Sequence, residues 1–370
     1  MIKLNLFMKI SIIGNNLTAL VLAKVLLKKK IQVDLFYEEN TTKNLKSVRT
    51  IGITQSNVLF LKKHFKGIEK IGHKIDKISI STERQKNDLL NFENNSNFKF
   101  AVFKYENIYK FVKSSLKKEK NFKSIKTKLD KKLVQKKYLL SYDLVIDINL
   151  RNTLSKKFFS RKIKKDYFSR AYVTIINHKQ IKNNIAKQIF SSSGPLAFLP
   201  ISNNKTSLVY SIFDNNSSKI NEETVIDLIK NYNTKYKITS FEKFESFKLQ
   251  FSLLRNYFKQ NVLAFGDQVH NIHPLAGQGF NMTLRDIKYF LKLIDEKMKY
   301  GLNLDSSILE EFEKNNKYKN VIFANSIDFI HEFFKFEKKL PDGLSKKLFY
   351  YFNKNSVFKK YISILADRGF

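Results

Sequence analysis

The sequence predicts an α/β protein in which a nucleotide-binding domain, built from discontinuous segments, holds an inserted β-rich domain. Three features predict this. The chain opens with a strand, loop, helix and second strand. Its middle is a succession of strand-like runs. Near residue 262 a buried strand leads through a Gly-rich loop into a long helix.

The opening unit reads Lys9 to Ile13 (KISII) as a strand and Gly14 to Ala19 as its loop. A helix follows with apolar residues at helical spacing, closed by Lys28, Lys29 and Lys30, cations suited to a helix C-terminus. Ile31 to Tyr37 is a second strand. Further helices are expected over Ser56 to Phe65, Tyr105 to Lys118, Glu222 to Asn231 and Asn281 to Met298. Strands are expected at Lys77 to Thr82, Tyr167 to Asn177, Gln188 to Ser191, Leu196 to Ile201, Thr206 to Phe213 and Val262 to Phe265. Lys137 to Asp147 reads as a hairpin or paired strands. The last 70 residues read as mainly helical, rich in Phe and Lys.

Composition narrows the function classes. With 370 residues, 43% of them hydrophobic and 34 of them Phe, the chain can bury a large core and lacks the signature of disorder. The absence of Cys excludes disulfides, thiolate metal sites and a cysteine nucleophile. The uncharged run Ile10 to Ala23 is about 14 residues, too short to span a bilayer, and no small-residue cleavage site follows it. A cytoplasmic protein without a signal peptide is therefore expected. The net charge of +35 comes almost entirely from Lys, since only eight Arg are present. Arg is the better reader of base edges and phosphates, so a nucleic-acid partner is not expected. A lysine-rich solvated surface, or one suited to anionic membrane, is.

Against this composition the Gly and Pro clusters stand out. In the first loop, Gly14 fills the first position of a dinucleotide G-x-G-x-x-G pattern, with Asn16 and Ala19 at the second and third. Asn tolerates positive φ better than most residues, and Ala commonly replaces the third Gly. The acidic residue expected for a ribose falls at Tyr37 by count, with Glu38 one place later. The second cluster, Phe265 to Asp286 (FGDQVHNIHPLAGQGFNMTLRD), ends a strand at Gly266-Asp267 and places Pro274 and Gly277-Gln278-Gly279 before a helix opened by Asn281. Two close glycines before a helix expose backbone N–H groups for anionic oxygen. Asp267, His270 and His273 are spaced by three, but Pro274 breaks a continuous helix, so no metal is expected. The histidines are expected to bond backbone within a packed loop.

The second cluster resembles the C-terminal flavin motif of the aromatic-ring flavin monooxygenases, in particular their ubiquinone-biosynthesis hydroxylase branch. Gly194 to Ile201 (GPLAFLPI) resembles that branch's G-P-x-A-x-L-P stretch, and Ser47 to Ile51 its Arg-containing segment. The resemblance runs from about residue 9 to the C-terminus. It implies a p-hydroxybenzoate hydroxylase-like fold. Residues 1–75, 100–165 and 255–300 would form a discontinuous Rossmann-like FAD-binding domain. Residues 76–99 and 166–254 would form a β-rich substrate domain, and 301–370 a helical C-terminal region.

The resemblance further implies FAD held by Gly14, Asn15, Asn16, Leu17, Glu38, Arg49, Gly266, Asp267, Gly277, Gln278, Gly279, Phe280 and Asn281. Asp267 would bind the ribityl chain. Phe198, Pro200 and Pro274 would line the substrate side, and no side-chain acid or base is nominated. The implied reaction is hydroxylation of a polyprenylated phenol through a flavin hydroperoxide, with NAD(P)H as electron donor. The implied partners are a prenylated quinone precursor, the inner face of a membrane and other ubiquinone-biosynthesis proteins. Alternatives of the same fold are a non-catalytic flavoprotein or scaffold and a hydroxylase of another aromatic. One departure is plain. Where the family has an A-D-G-x-N-S pattern, Ile148 to Thr153 (INLRNT) has neither that Asp nor that Gly.

Overall fold

The computed structural model describes residues 8–38, 48–83, 90–93, 99–128, 141–213, 220–274 and 277–337, with six single positions between 354 and 369. In chain order the first elements are β1 (Lys9–Ile13), α1 (Leu17–Leu27), β2 (Gln32–Tyr37), β3 (Thr50–Thr54), α2 (Gln55–His64), β4 (His73–Ile75), β5 (Lys77–Thr82) and β6 (Leu90–Glu93). Next come β7 (Phe100–Lys104), α3 (Tyr105–Leu116), β8 (Phe122–Lys126), β9 (Leu144–Asp147), α4 (Thr153–Phe158), β10 (Lys162–His178), β11 (Ile185–Ser191), β12 (Gly194–Pro200) and β13 (Lys205–Phe213). The rest are α5 (Glu222–Tyr232), β14 (Ile238–Phe241), β15 (Glu245–Leu254), β16 (Phe258–Lys259), β17 (Val262–Ala264), β18 (His270–Asn271), α6 (Gln278–Lys299) and α7 (Ser306–Glu337). Part of the expected hairpin over 137–147 and most of the chain beyond 337 lie outside the described residues.

The first sheet runs β16-β17-β9-β1-β2-β8, parallel from β17 to β8. Its strands read as apolar runs because both faces are covered: Ile10, Ile12 and Ile13 of β1 are all fully buried. Helix α1 is apolar all round and buried everywhere except Lys24, as a helix inside a core must be. Each such buried Leu or Val contributes roughly 1.5–3 kcal/mol. The parallel register brings the carboxyl ends of β1, β2, β9 and β17 to one edge, the usual ligand crevice of such sheets.

The second sheet runs β18-β15-β10-β13-β12-β11-β5-β6, with β14 also paired to β10. Strand β10 is longer than its sequence pattern indicates, spanning 17 residues with a register shift between Asp166 and Arg170. One face packs on α5 through Ile176, Leu196, Phe198, Leu208, Val225 and Ile229. The other turns Val173 and Ile175 toward Val48, just before β3, with Ile201 and Val209 beside them. A hydrogen bond of 2.8 Å between Thr50 and Ser207 hydroxyls ties β3 to this face. A small antiparallel sheet, β3-β7-β4, lies at the join.

Gly194, the first residue of β12, sits at φ +134° with the Ser211 carbonyl so close that a Cβ would lie 1.9 Å from it. Both the backbone conformation and the space demand Gly. Gly194→Ala is therefore expected to cost about 3 kcal/mol or more, read as a lowered urea midpoint against wild type. A loss under about 0.5 kcal/mol would show that this close approach is not a constraint.

Candidate functional site

At the crevice, β1 is followed by Gly14, whose N–H bonds the Phe36 carbonyl at 2.9 Å and whose φ is +136°. A Cβ there would meet Ile148 at 3.4 Å. Asn16 does not adopt positive φ: it is extended, φ −90°, and caps α1 by accepting the Ala19 N–H at 3.0 Å. It stands at this position as a helix cap, among the best residues for that role. Glu38 directly follows β2, the strand beside Gly14.

The second part of the crevice follows β17. Gly266 has φ +65°, and a Cβ on it would approach Thr18 of α1 at 3.3 Å. This packing sets Asp267 at the start of α1, exposed among buried neighbours. Its carboxylate is thus open to a ligand.

The third part is the start of α6. The helix begins at Gln278, three residues before Asn281, with Gly277 as its left-handed cap at φ +65°. The Gly277 N–H bonds the Pro274 carbonyl at 3.2 Å, closing the turn. Asn281 is fully buried and turned to protein. Its Nδ2 donates to the carbonyls of Gly52 (2.9 Å) and Gly277 (3.2 Å). Its Oδ1 accepts from the Thr54 N–H (3.0 Å) and Asn57 Nδ2 (2.9 Å). The first-turn amides, which α-helix geometry leaves without helical partners, are therefore those of Gln278, Gly279 and Phe280. A Cβ added at Gly279 would meet nothing within 4 Å among the described residues, so this turn borders open space.

Two tyrosines one turn apart on α3 complete the crevice, and sequence reasoning misses them. The Tyr105 hydroxyl accepts the Leu17 N–H at 3.4 Å, and the Arg49 guanidinium lies 5.0 Å from its ring centroid. Burial raises the Tyr105 pKa above its ordinary value, with Arg49 opposing and Asp267 adding to the rise. Tyr109 donates to Asn15 Oδ1 at 3.0 Å. Their signal in sequence is an i, i+4 aromatic pair opening a helix directly after a strand.

The strand end at β9 holds another residue that sequence reasoning misses. The pattern at 148–153 lacks the family's Asp, yet Asp147, one residue earlier, is fully buried at this edge. It accepts hydrogen bonds from the Asn149 N–H (3.1 Å), Asn152 Nδ2 (2.7 Å) and the Ser155 hydroxyl (2.7 Å). Gln268 Nε2 lies 3.5 Å away. Burial pushes its pKa up to about 6 in spite of these bonds. A polar residue ending an apolar strand is the available signal.

Two further expectations meet a different geometry. Phe198 lies on the α5 face of the large sheet, stacked on Tyr236 with centroids 5.8 Å apart. Pro200, two residues on, shares that face by strand alternation. The face turned to the nucleotide-binding part instead presents Leu199, Ile201, Val209, Val173 and Ile175. His270, expected to bond backbone, pairs with the Asp286 carboxylate at 2.8 Å, which also accepts from Asn316 and Asn320.

Whether FAD suits this crevice can be judged from its orphaned atoms. Asn15 Nδ2, a donor, and Gln278 Oε1, an acceptor, are buried without a hydrogen-bond partner among the described residues. Buried polar groups rarely stay unpaired. FAD offers pyrophosphate oxygens to the first, and ribityl hydroxyls or the ring N–H to the second, so the residues fit.

A parallel nucleotide sheet, a large antiparallel sheet facing its carboxyl edge and a Gly-capped helix define an FAD-binding fold of the p-hydroxybenzoate hydroxylase type. The FAD binding domain family matches residues 161–300, leaving the β1–α1 loop outside the match. In sequence and fold the chain is similar to FAD-dependent monooxygenases. It is 22% identical over 276 residues to the ubiquinone biosynthesis monooxygenase COQ6, mitochondrial, of Schizosaccharomyces pombe, covering 62% of this chain and 58% of that protein. It is 24% identical over 188 residues to the ubiquinone hydroxylase UbiL of Rhodospirillum rubrum, covering 49% and 44%. The matches thus span less than two thirds of these relatives. In structure it is similar to p-nitrophenol 4-monooxygenase PnpA from Pseudomonas putida, with TM-score 0.76, 12% identity and coverage of 98% and 99%.

Two variants test this site. Asp267 is exposed, so Asp267→Ala is expected to weaken FAD binding while shifting stability by no more than about 0.5 kcal/mol; flavin fluorescence titration and thermal melting read the two effects. Asp147 has a raised folded-state pKa, so its contribution to stability is fully present below the unfolded value near 3.8 and is lost as pH rises through about 6. Asp147→Asn should therefore gain stability relative to wild type across that window, by on the order of 2–3 kcal/mol at its top. Urea melts at pH 4 and pH 7 check this, and a difference between the two proteins that does not change with pH would contradict it.

Proposed function

We propose that the protein is an FAD-dependent monooxygenase that hydroxylates a phenolic ring bearing a polyprenyl tail during ubiquinone biosynthesis. One observation carries this reading: at the carboxyl edge of the parallel sheet Gly266 packs against Thr18 at the start of α1, leaving the neighbouring Asp267 exposed beside the loop that follows β1. The similarity to COQ6 and UbiL supports the substrate class.

When bound and reduced by NAD(P)H, FAD supplies the chemistry of oxygen activation. The chain supplies position. Gly14, Asn15 and Leu17 would hold the pyrophosphate, with Glu38 toward a ribose and Arg49 beside Tyr105 as a cation for the phosphates. Asp267 would accept from ribityl hydroxyls. The amides of Gln278, Gly279 and Phe280, at the positive end of the α6 dipole, favour negative charge on the ring. Val173, Ile175, Ile201 and Val209 form an apolar wall that orients an aromatic substrate and excludes water. A phenol is electron-rich, so holding it against the ring requires no protein nucleophile.

A prenyl tail keeps the substrate in a bilayer. We therefore place the protein on the inner, cytoplasmic face of a membrane, beside other enzymes of the same pathway. No helix among the described residues is long and apolar enough to cross a membrane. Attachment would then be peripheral, through the lysine-rich surface.

Purified protein reconstituted with FAD is expected to show bands near about 375 and 450 nm and to oxidise NAD(P)H faster when a prenylated phenol is added. Bound flavin without that stimulation would instead mark a non-catalytic flavoprotein. Failure to bind flavin at all would remove the reading.

A further inference from the structure

Away from the crevice, two concavities of about 540 and 470 Å³ lie side by side along α6, sharing Lys288 and Lys292. Neither is lined by Gly14, Arg49 or Asp267. The larger, between α2, α6 and α7, adds Arg285 and Lys319; the smaller, between α2 and α6, adds Lys29, Lys63 and Lys299.

Positive charge is in excess here, since the two linings together hold seven Lys or Arg against three acids. Both oxygens of Asp286 are taken up by His270, Asn316 and Asn320. Asp295 pairs with Lys29 at 2.6 Å, and Glu296 lies 3.7 Å from Lys292. Asp367, near Arg285, accepts the Ser56 N–H at 3.0 Å. The local field is visible at His64, whose pKa is lowered to about 4 by burial and then by Lys28, Lys29, Lys63 and Lys24.

Arg285 distinguishes this face from an ordinary solvated lysine surface. It is one of only eight Arg in the chain. Its guanidinium lies 4.0 Å from the Phe323 ring centroid, and its Nη1 is buried without a hydrogen-bond partner among the described residues. A planar fork held on an aromatic ring beside an open cavity suits a phosphate. Apolar side chains line the same concavities, Leu59, Tyr289 and Phe323 the larger and Phe60 and Leu291 the smaller, and Leu59 is 50% exposed. Apolar side chains around a cationic pocket match a lipid interface, where headgroup phosphates lie above acyl chains.

We propose that this α2–α6–α7 face docks on a bilayer containing anionic phospholipid, with a headgroup phosphate entering the Arg285 cavity. The inference rests on the membrane-surface reading above and assigns it a place. Charge reversal at two accessible lysines of the face, Lys292→Glu with Lys319→Glu, spares Arg285 and the core. A control double variant, Lys179→Glu with Lys182→Glu, changes the net charge equally at exposed positions following β10.

The FAD-loaded proteins would be sedimented with phosphatidylcholine vesicles, with or without about 30% phosphatidylglycerol, at about 0.1 M salt. Wild type is expected to bind only the anionic vesicles. The Lys292/Lys319 variant should bind them roughly tenfold or more weakly, and the control less than about twofold more weakly. Equal weakening in both variants, or none in the first, would overturn the assigned face while leaving the surface reading intact. No binding by wild type would overturn both. Flavin absorbance, followed in every sample, keeps either outcome separate from the FAD reading.

Discussion

The side chain of Asn281 is the joint on which the crevice depends. It bonds Gly52, Thr54, Asn57 and Gly277 at once, pinning the first turn of α6 to β3 and α2. Gly277 packs so close to Gly52 that a Cβ would come within 3.2 Å of its nitrogen. Asn281 thereby spends its side chain on the protein and leaves the preceding amides to face the crevice. A helix start offers an anionic group something only if its direction is fixed, and here a buried amide fixes it. The same joint places β3 so that Val48 and Thr50 meet the apolar face of the large sheet.

The other two sides of the crevice are held by comparable means. Asp147 gathers the loop after β9 and, through Gln268, the turn that presents Asp267. Burying a carboxylate is costly, and its raised pKa records that cost; the surrounding donors offset part of it. At α1, Asn16 and Tyr105 engage the Ala19 and Leu17 amides, so a phosphate arriving there must exchange protein partners for its own oxygens. In this loop, with one Gly instead of three, the helix start is capped by a side chain where the usual dinucleotide pattern leaves bare backbone.

Charge has been distributed differently from function. Lysines cover most of the molecule and pair with scattered acids at the surface, where such pairs contribute little to stability. The few arginines occupy more particular surroundings: Arg49 lies over Tyr105 at the crevice, and Arg285 over Phe323 beside the basic concavities. In a chain that favours Lys almost everywhere, a guanidinium on an aromatic ring marks a position where planarity matters.

Although β3, β7, β8 and β15 were not read from it, the opening β-α-β unit, five strands of the large sheet and the helices over 56–65, 105–118, 222–231 and 281–298 were legible in the sequence, because hydrophobic periodicity and Gly or Pro placement act locally. Asp267 and the glycines around it were legible for the same reason, as a contiguous stretch whose spacing implies a loop at a strand end. What the sequence left open was direction. Phe198 and Leu199 are neighbours with similar chemistry, and only the pairing of β12 with β13 decides that the first meets α5 and the second the crevice side. Whether Asn16 adopts positive φ or caps a helix, and whether Asn281 faces ligand or Gly52, depends likewise on partners far along the chain. Tyr105 and Asp147 carried no motif at all, and Arg285 stood at the end of the Phe265 to Asp286 motif without an assigned role. Their surroundings exist only once segments more than 80 residues apart are packed together, since burial, orphaned atoms and converging charge are properties of tertiary contact and not of spacing.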